Sequence, residues 1–273
     1  MIGELRSMYE FEFMQHALLV GIFGGGMLAF LGIFVHLRRI VFLGAALPQI
    51  TALGIAIAVF ANLPPLAGAI LGGLSGILLL SFSGKPGHLP TEGWVGIAYA
   101  SGGSLAIVVL ALSPHPDAGA LRFFTGDILG TSRNEALFAV AIAIAAAVVF
   151  RLFWSKFLMS SFDPMMSATL GIRVRIWNAL LFLCLGIGLA AVMSSAGSML
   201  AFGMLIGPPA AALMLFRGFP GVVLCTLLLG AGSAFLGLTA AFWFDLPGGP
   251  AMATAALLPV LPVWIFQNIK RSL

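Results

Sequence analysis

Long apolar runs separated by short polar breaks organise this chain. They cover residues 14–36, 42–61, 65–82, 93–112, 136–154, 176–193, 198–216, 220–244 and 250–267. Each holds about 18 to 25 residues, matching the roughly 20 needed to cross about 30 Å of hydrocarbon at about 1.5 Å rise per residue. None shows the alternation of an outer-membrane strand, so the pattern predicts an all-α integral membrane protein of about nine transmembrane helices. The softest boundary is Ser194-Ser195-Ala196-Gly197. It either joins two spans tightly or breaks one helix within the membrane, which would leave eight.

Charge sharpens this picture. The nine runs contain no Asp or Glu, and Arg151 is their single Lys or Arg. An ionisable group in hydrocarbon is costly and marks a pathway or relay. A membrane protein with almost none is a passive scaffold, or a conduit whose selectivity is decided by other groups. Of the 13 basic residues, ten fall in one set of alternate connections: Arg38, Arg39, Lys85, Arg151, Lys156, Arg173, Arg175, Arg217, Lys270 and Arg271. The positive-inside rule makes that set cytoplasmic, with the N-terminus outside and the C-terminus inside. Scattered in this way, the net charge of +4 reports topology and not a nucleic-acid surface.

At 8% charged residues the chain lies far below the roughly 25% of a soluble domain. The runs use most of its 273 residues, so 1–273 reads as a single transmembrane domain. Glu4, Glu10 and Glu12 precede the first run, where a cleaved signal would be basic. Cys184 and Cys225 lie inside runs and read as packing residues. Small residues recur every fourth position at Ala17, Gly21, Gly25 and Ala29, and again at Gly68, Gly72 and Gly76. Such stripes serve close helix packing within the chain, or a dimer face. Pro48, Pro208 and Pro209 kink helices or line a cavity.

The longest basic connection carries the most chemistry. In Phe162-Asp163-Pro164-Met165-Met166-Ser167-Ala168-Thr169-Leu170-Gly171-Ile172, Asp163 is placed to cap a short helix, with Pro164 at its first position and Gly171 ending it. Met165 and Met166 would be exposed. Such an element lies along the membrane, or docks into a partner's groove.

This loop resembles the D-P-x-x-A-x-x-x-G-I coupling segment of the metal-type ABC importer permeases, which include zinc and manganese permeases. Four further stretches are similar, in the family's order: Phe34 to Gly44, Phe123 to Leu129, Gly203 to Ala211, and Phe244 to Pro250. The resemblance covers residues 14–267 and implies a type II ABC importer permease. It implies that two copies form the pore as a homodimer in a prokaryotic inner membrane. A cytoplasmic ATPase would dock on the helix near 162–172, through Asp163, Pro164, Met165, Met166, Leu170 and Gly171. An extracytoplasmic solute-binding protein would deliver the cargo. ATP and Mg would belong to the ATPase; the chain has no Gly-x-x-x-x-Gly-Lys-Ser/Thr loop, and no cofactor or enzymatic activity of its own is expected.

The match departs at one place. Where zinc and manganese permeases read G-D-A-L-S-H-A, this chain reads Gly44-Ala45-Ala46-Leu47-Pro48-Gln49-Ile50. The family's Asp falls on Ala45 and its His on Gln49; a further His of the fourth span falls on Ala100. The candidate pathway residues left are Gln49, Thr51, Tyr99, Ser101 and Ser104, all neutral oxygen donors. Zn²⁺ prefers imidazole, thiolate and carboxylate, so no resident metal site is expected. Gln49 and Ser101 are alternatively helix–helix hydrogen-bonding residues, worth about 0.6 to 2 kcal/mol each. His115 and Asp117 form a weak outer metal site or simply a solvated loop. The readings that remain are a permease for a divalent metal or metal complex, an importer of a non-metal solute, and a non-transporting scaffold.

Overall fold

Backbone N–H and C=O groups have no water to bond within a bilayer, so an apolar chain of this kind satisfies them along helices. The computed structural model describes residues 11–82, 91–113 and 128–272, and every regular element among them is helical. Helix α1 is Glu12–Leu37, and α2 is Val41–Phe60. Next come α3 (Pro65–Phe82), α4 (Thr91–Ala111) and α5 (Arg133–Leu152). Two short helices, α6 (Trp154–Phe162) and α7 (Pro164–Thr169), precede the long α8 (Val174–Leu215). The chain ends with α9 (Phe219–Phe244), α10 (Gly248–Leu257) and α11 (Val260–Ser272). The acidic N-terminal segment before residue 11, His115 with Asp117, and Phe123 to Asp127 lie outside the described residues.

Boundaries follow local chemistry. Ser132 and Glu135 form a reciprocal capping box that starts α5. That helix stops at Leu152, two residues before the end of its apolar run, because Phe153 leaves helical geometry and α6 begins. The run 250–267 likewise divides: α10 ends at Leu257 and α11 starts at Val260, around Pro259, which has no N–H to donate. Within α1, Val20–Gly25 winds as a π-helix.

The Ser194–Gly197 question is settled by neighbours. Arg38, just after α1, bonds Asn178 at the start of α8. Further along, Gly188 faces Met27, Leu28 and Leu31, and Gly24 faces Val192. The first limb of α8 therefore runs antiparallel to α1. Beyond Gly197 the order inverts: Gly25 faces Met204, and Gly32 faces Leu205 and Pro209. The Gln267 amide then donates to the Met214 carbonyl near the far end. The chain turns back on itself at Gly197, whose φ of 78° is open to glycine and strained for other residues. Among the described residues this gives nine apolar passages.

Both small-residue stripes pack inside the chain. Gly68 and Gly72 meet Gly54, Gly76 meets Ile50, Gly21 meets Ala234 and Met252, and Ala29 meets Gly230. Gly32 lies closest of all to its neighbour. A methyl there would overlap the Leu205 carbonyl oxygen and lie 2.9 Å from Pro209 Cγ. Gly32→Ala is expected to cut the chain's accumulation in membranes severalfold, since overpacking costs about 1–3 kcal/mol. Gly26→Ala, with nothing within 4 Å of the new methyl, is the control, and immunoblots of membrane fractions provide the readout.

Candidate coupling helix and translocation face

Helix α7 is defined by its two ends. Asp163 is extended (φ −143°, ψ 92°), and its carboxylate accepts from the Met166 N–H at 2.9 Å. Pro164 follows at the first helical position, where its missing N–H leaves nothing unsatisfied. At the other end the Gly171 N–H donates to the Ala168 carbonyl and the Ile172 N–H to the Ser167 carbonyl. This pair of bonds is a Schellman motif, and it requires the positive φ that Gly171 supplies at 77°. The helix buries only Ser167 and holds out Met165 at 84% exposure, Met166 at 60% and Leu170 at 57%. An apolar knob fixed by caps at both ends is suited to a groove on another protein.

Beside α7, Arg38 joins three segments. Its Nε and Nη2 donate to the Ser161 hydroxyl at 3.1 and 2.9 Å, and Nη2 reaches Ser160 at 3.3 Å. Nη1 donates to the Asn178 side-chain oxygen at 2.6 Å. Ser160 and Ser161 close α6, which leads directly into Asp163 and α7. Burial lowers the Arg38 guanidinium to about 10, so it remains a cation at neutral pH, held here by neutral oxygens. Aromatic rings brace the same region: Phe150 stacks on Phe157 at 4.2 Å, and Phe34 packs against both. Lys156 lies 5.1 Å over the Trp177 ring. The end of α1, the α6–α7 segment and the start of α8 thus form one braced unit.

The polar positions of α2 and α4 are only partly brought together. Gln49 lies on Gly102 and Gly103, so close that a Cβ at 103 would sit 2.7 Å from its Oε1. Ser101 and Ser104 donate to their own helix, at Ile97 and Ala100, from the outward side of α4. Tyr99 is 45% exposed. Thr51 is separated from this group. Two residues on from Gln49 means about 200° around a helix. That turn buries Thr51 against Gly72 and Gly73 of α3, with its hydroxyl on the Leu47 carbonyl. Ala45, one turn before Gln49, is partly exposed, and Ala100 is exposed three residues before Gly103. Among the described residues no three His, Cys, Asp or Glu side chains gather to hold a metal.

With these features in place, comparison with known proteins identifies the class. The model of the ABC 3 transport family matches residues 10–267. The chain belongs to the ABC 3 transport family. Among curated relatives, the "Manganese import system permease protein ScaB" of Streptococcus gordonii is 25% identical over 262 residues, 96% of this chain and 94% of that protein. The "Probable iron transport system membrane protein" of Haemophilus influenzae is 26% identical over 268 residues, 98% and 94% of the two. The fold is also that of a solved structure, "PsaBC from Streptococcus pneumoniae in complex with Fab". The match has a TM-score of 0.87 at 23% identity, and covers 97% of this chain and 95% of the other.

This ABC 3 family member is therefore a multi-pass membrane permease subunit, and its class is transport rather than catalysis. Sequence reasoning located α7 residue by residue but missed the Arg38 constellation. The Arg38-Arg39 pair gives a topology signal and part of the family resemblance but no sign of its partners, because these lie 122 to 140 residues away.

Proposed function

We propose that this chain is the membrane subunit of a bacterial importer driven by a separate cytoplasmic ATPase. The observation that carries the reading is α7: a double-capped helix presenting Met165, Met166 and Leu170 from the basic end of the bundle. The proposed topology puts that end in the cytoplasm, the N-terminus outside and the C-terminus inside. A homodimer supplies the pore. A second copy would close the outward face of α4, where Ser101, Ser104 and Tyr99 lie beside Gln49, and Thr51 packs behind them. An extracytoplasmic binding protein delivers the cargo at the opposite end.

The names of the relatives favour a divalent metal, manganese or iron, as cargo; zinc rests on the sequence resemblance alone. The residues facing α4 favour a second version of the same function. With alanine at 45 and 100 and an amide at 49, the pathway offers neutral oxygens to an ion that would need charged or imidazole ligands when stripped of water. A hydrated ion, a metal complex or another polar solute passes such a face at lower cost.

Changing Met165 and Met166 together to Asp tests the docking role. The double variant is expected to reach the membrane at wild-type levels and to lose at least about tenfold in ATPase co-purification. Loss on this scale follows from removing two central apolar contacts. Undiminished co-purification of the ATPase would refute the assignment of α7. A wild-type chain that binds no ATPase at all would favour the scaffold.

A further inference from the structure

On the side of the bundle away from α2–α4, a cavity of about 400 Å³ opens between α1, α5 and α9. Its walls are Ile22, Gly26 and Phe30 of α1, Ala143 and Ala147 of α5, and Leu227 of α9. The trench exists because these helices meet through small residues there: a Cβ built on Gly26 finds nothing within 4 Å. From Ile22 to Phe30 it runs about 12 Å along the helix axis. Water does not fill an apolar cavity of this kind, and within the bilayer the available apolar filler is a lipid chain.

One end of the trench differs from the rest. Arg151 and Trp154 line it there, next to Phe30 and Phe150. Among the described residues Arg151 is the only charged one in the lining. It ends α5 at the same level of the bundle as the Arg38 unit, since Phe30 and Phe34 of α1 pack on Phe150. A cation near a helix end snorkels to the headgroup layer, and Trp marks that layer from the apolar side. The Arg151 side chain is exposed, and among the described residues no carboxylate engages it. An apolar trench closed at one end by an unpaired guanidinium and an indole matches one chemistry: an acyl chain that continues into a phosphate.

We propose that this trench is a binding site for an anionic phospholipid of the surrounding leaflet. One acyl chain lies along Gly26 and Ala147, and the headgroup phosphate is held by Arg151. The site is separate from α7 and from the α2–α4 face, so it stands whatever the cargo. The bound chain fills a gap in the wall of α1, the helix whose end carries Arg38.

The experiment uses the full-length chain reconstituted in vesicles of phosphatidylcholine containing phosphatidylglycerol. The chain is extracted in mild detergent and its retained lipid identified by native mass spectrometry. The wild type is expected to retain phosphatidylglycerol in preference to phosphatidylcholine. Arg151→Gln is expected to keep a lipid but lower that preference about fivefold, the worth of one surface cation on an anionic lipid. Gly26→Leu and, from the opposite wall, Ala147→Leu fill the trench and are expected to remove the retained lipid without loss of folded chain. Unchanged retention in both filled variants would overturn the proposal, as would an unchanged headgroup preference in Arg151→Gln. If the filled variants instead alter subunit stoichiometry and leave lipid content as it was, the trench holds a second protein chain and the lipid assignment fails.

Discussion

Arg38→Leu is expected to leave the chain folded and bound to the proposed ATPase while transport per ATP hydrolysed falls at least about tenfold. The reason is the position of Arg38 between α7, the proposed docking helix, and the bundle. On the proposed docking role, movement of α7 would reach the membrane through α6, and the Ser160 and Ser161 hydroxyls at the end of α6 are held by the Arg38 guanidinium. The same guanidinium holds Asn178, at the start of α8, at 2.6 Å. Leucine removes every one of these donors at once. Both serines keep their bonds to the Phe157 carbonyl, so the local fold survives. What is lost is the link between segments. A hydrogen bond to a charged group contributes about 1.5–3 kcal/mol, and about 1.4 kcal/mol of coupling is already tenfold. Arg38→Lys should fall between the two, because an ammonium cannot present the planar fork that spans both serines and Asn178. Paired measurements of ATP hydrolysis and solute uptake in reconstituted vesicles decide it. A wild-type ratio of transport to hydrolysis in Arg38→Leu would rule out this role.

Much of this molecule is legible in its residues because its physics is local. Apolar length defines a span, and a Pro-flanked Asp with Gly eight residues later defines α7. The small-residue stripes name the faces that pack. The features that escape are those set by other parts of the chain. In sequence Gly197 is one of four residues at an ambiguous break, yet Ser194, Ser195 and Ala196 are helical and the whole reversal falls on the glycine. Only the neighbours of Gly24, Gly25 and Gly32 reveal that the chain turns back there. The π-helical Val20–Gly25 leaves no signature beyond its glycines. Thr51 shows the same limit: two residues from Gln49 in sequence, it sits across the helix from it. The family resemblance implies that both residues line one pathway, and helical rotation separates them. Arg38 is the largest gap, since an arginine at a span end looks the same whether it faces lipid headgroups or clamps two other helices.

Restoring the ligands that this chain lacks is expected to change which solute it holds. Positions 45 and 49 are one helical turn apart on α2, and Gly102 and Gly103 bring α4 against Gln49. Asp at 45, His at 49 and His at 100 would therefore supply a carboxylate and two imidazoles from two packed helices. The present side chains leave room for this: Ala45 and Gln49 are partly exposed and Ala100 is exposed. A dehydrated Zn²⁺ or Mn²⁺ at the wild-type face meets at best a neutral amide and hydroxyls, two of which are already committed to their own helix at Ile97 and Ala100. At the altered face the charge and the ligand type both suit the ion. Even residues that merely support a metal site act on affinity by about 10–100-fold, so three new direct ligands should raise affinity by at least about 100-fold. Equilibrium dialysis of the detergent-solubilised protein against Zn²⁺ and Mn²⁺, with metal counted by mass spectrometry, measures this directly. The wild type is expected to retain little metal and the Ala45→Asp, Gln49→His, Ala100→His variant about one ion per chain. Tight metal binding by the wild type would mean that the pathway draws ligands from outside the α2–α4 face. Weak binding by the triple variant would mean that these three positions do not converge. On the proposed pathway, the expected result would make the amide at 49 the point where this chain departs from selecting a bare metal ion.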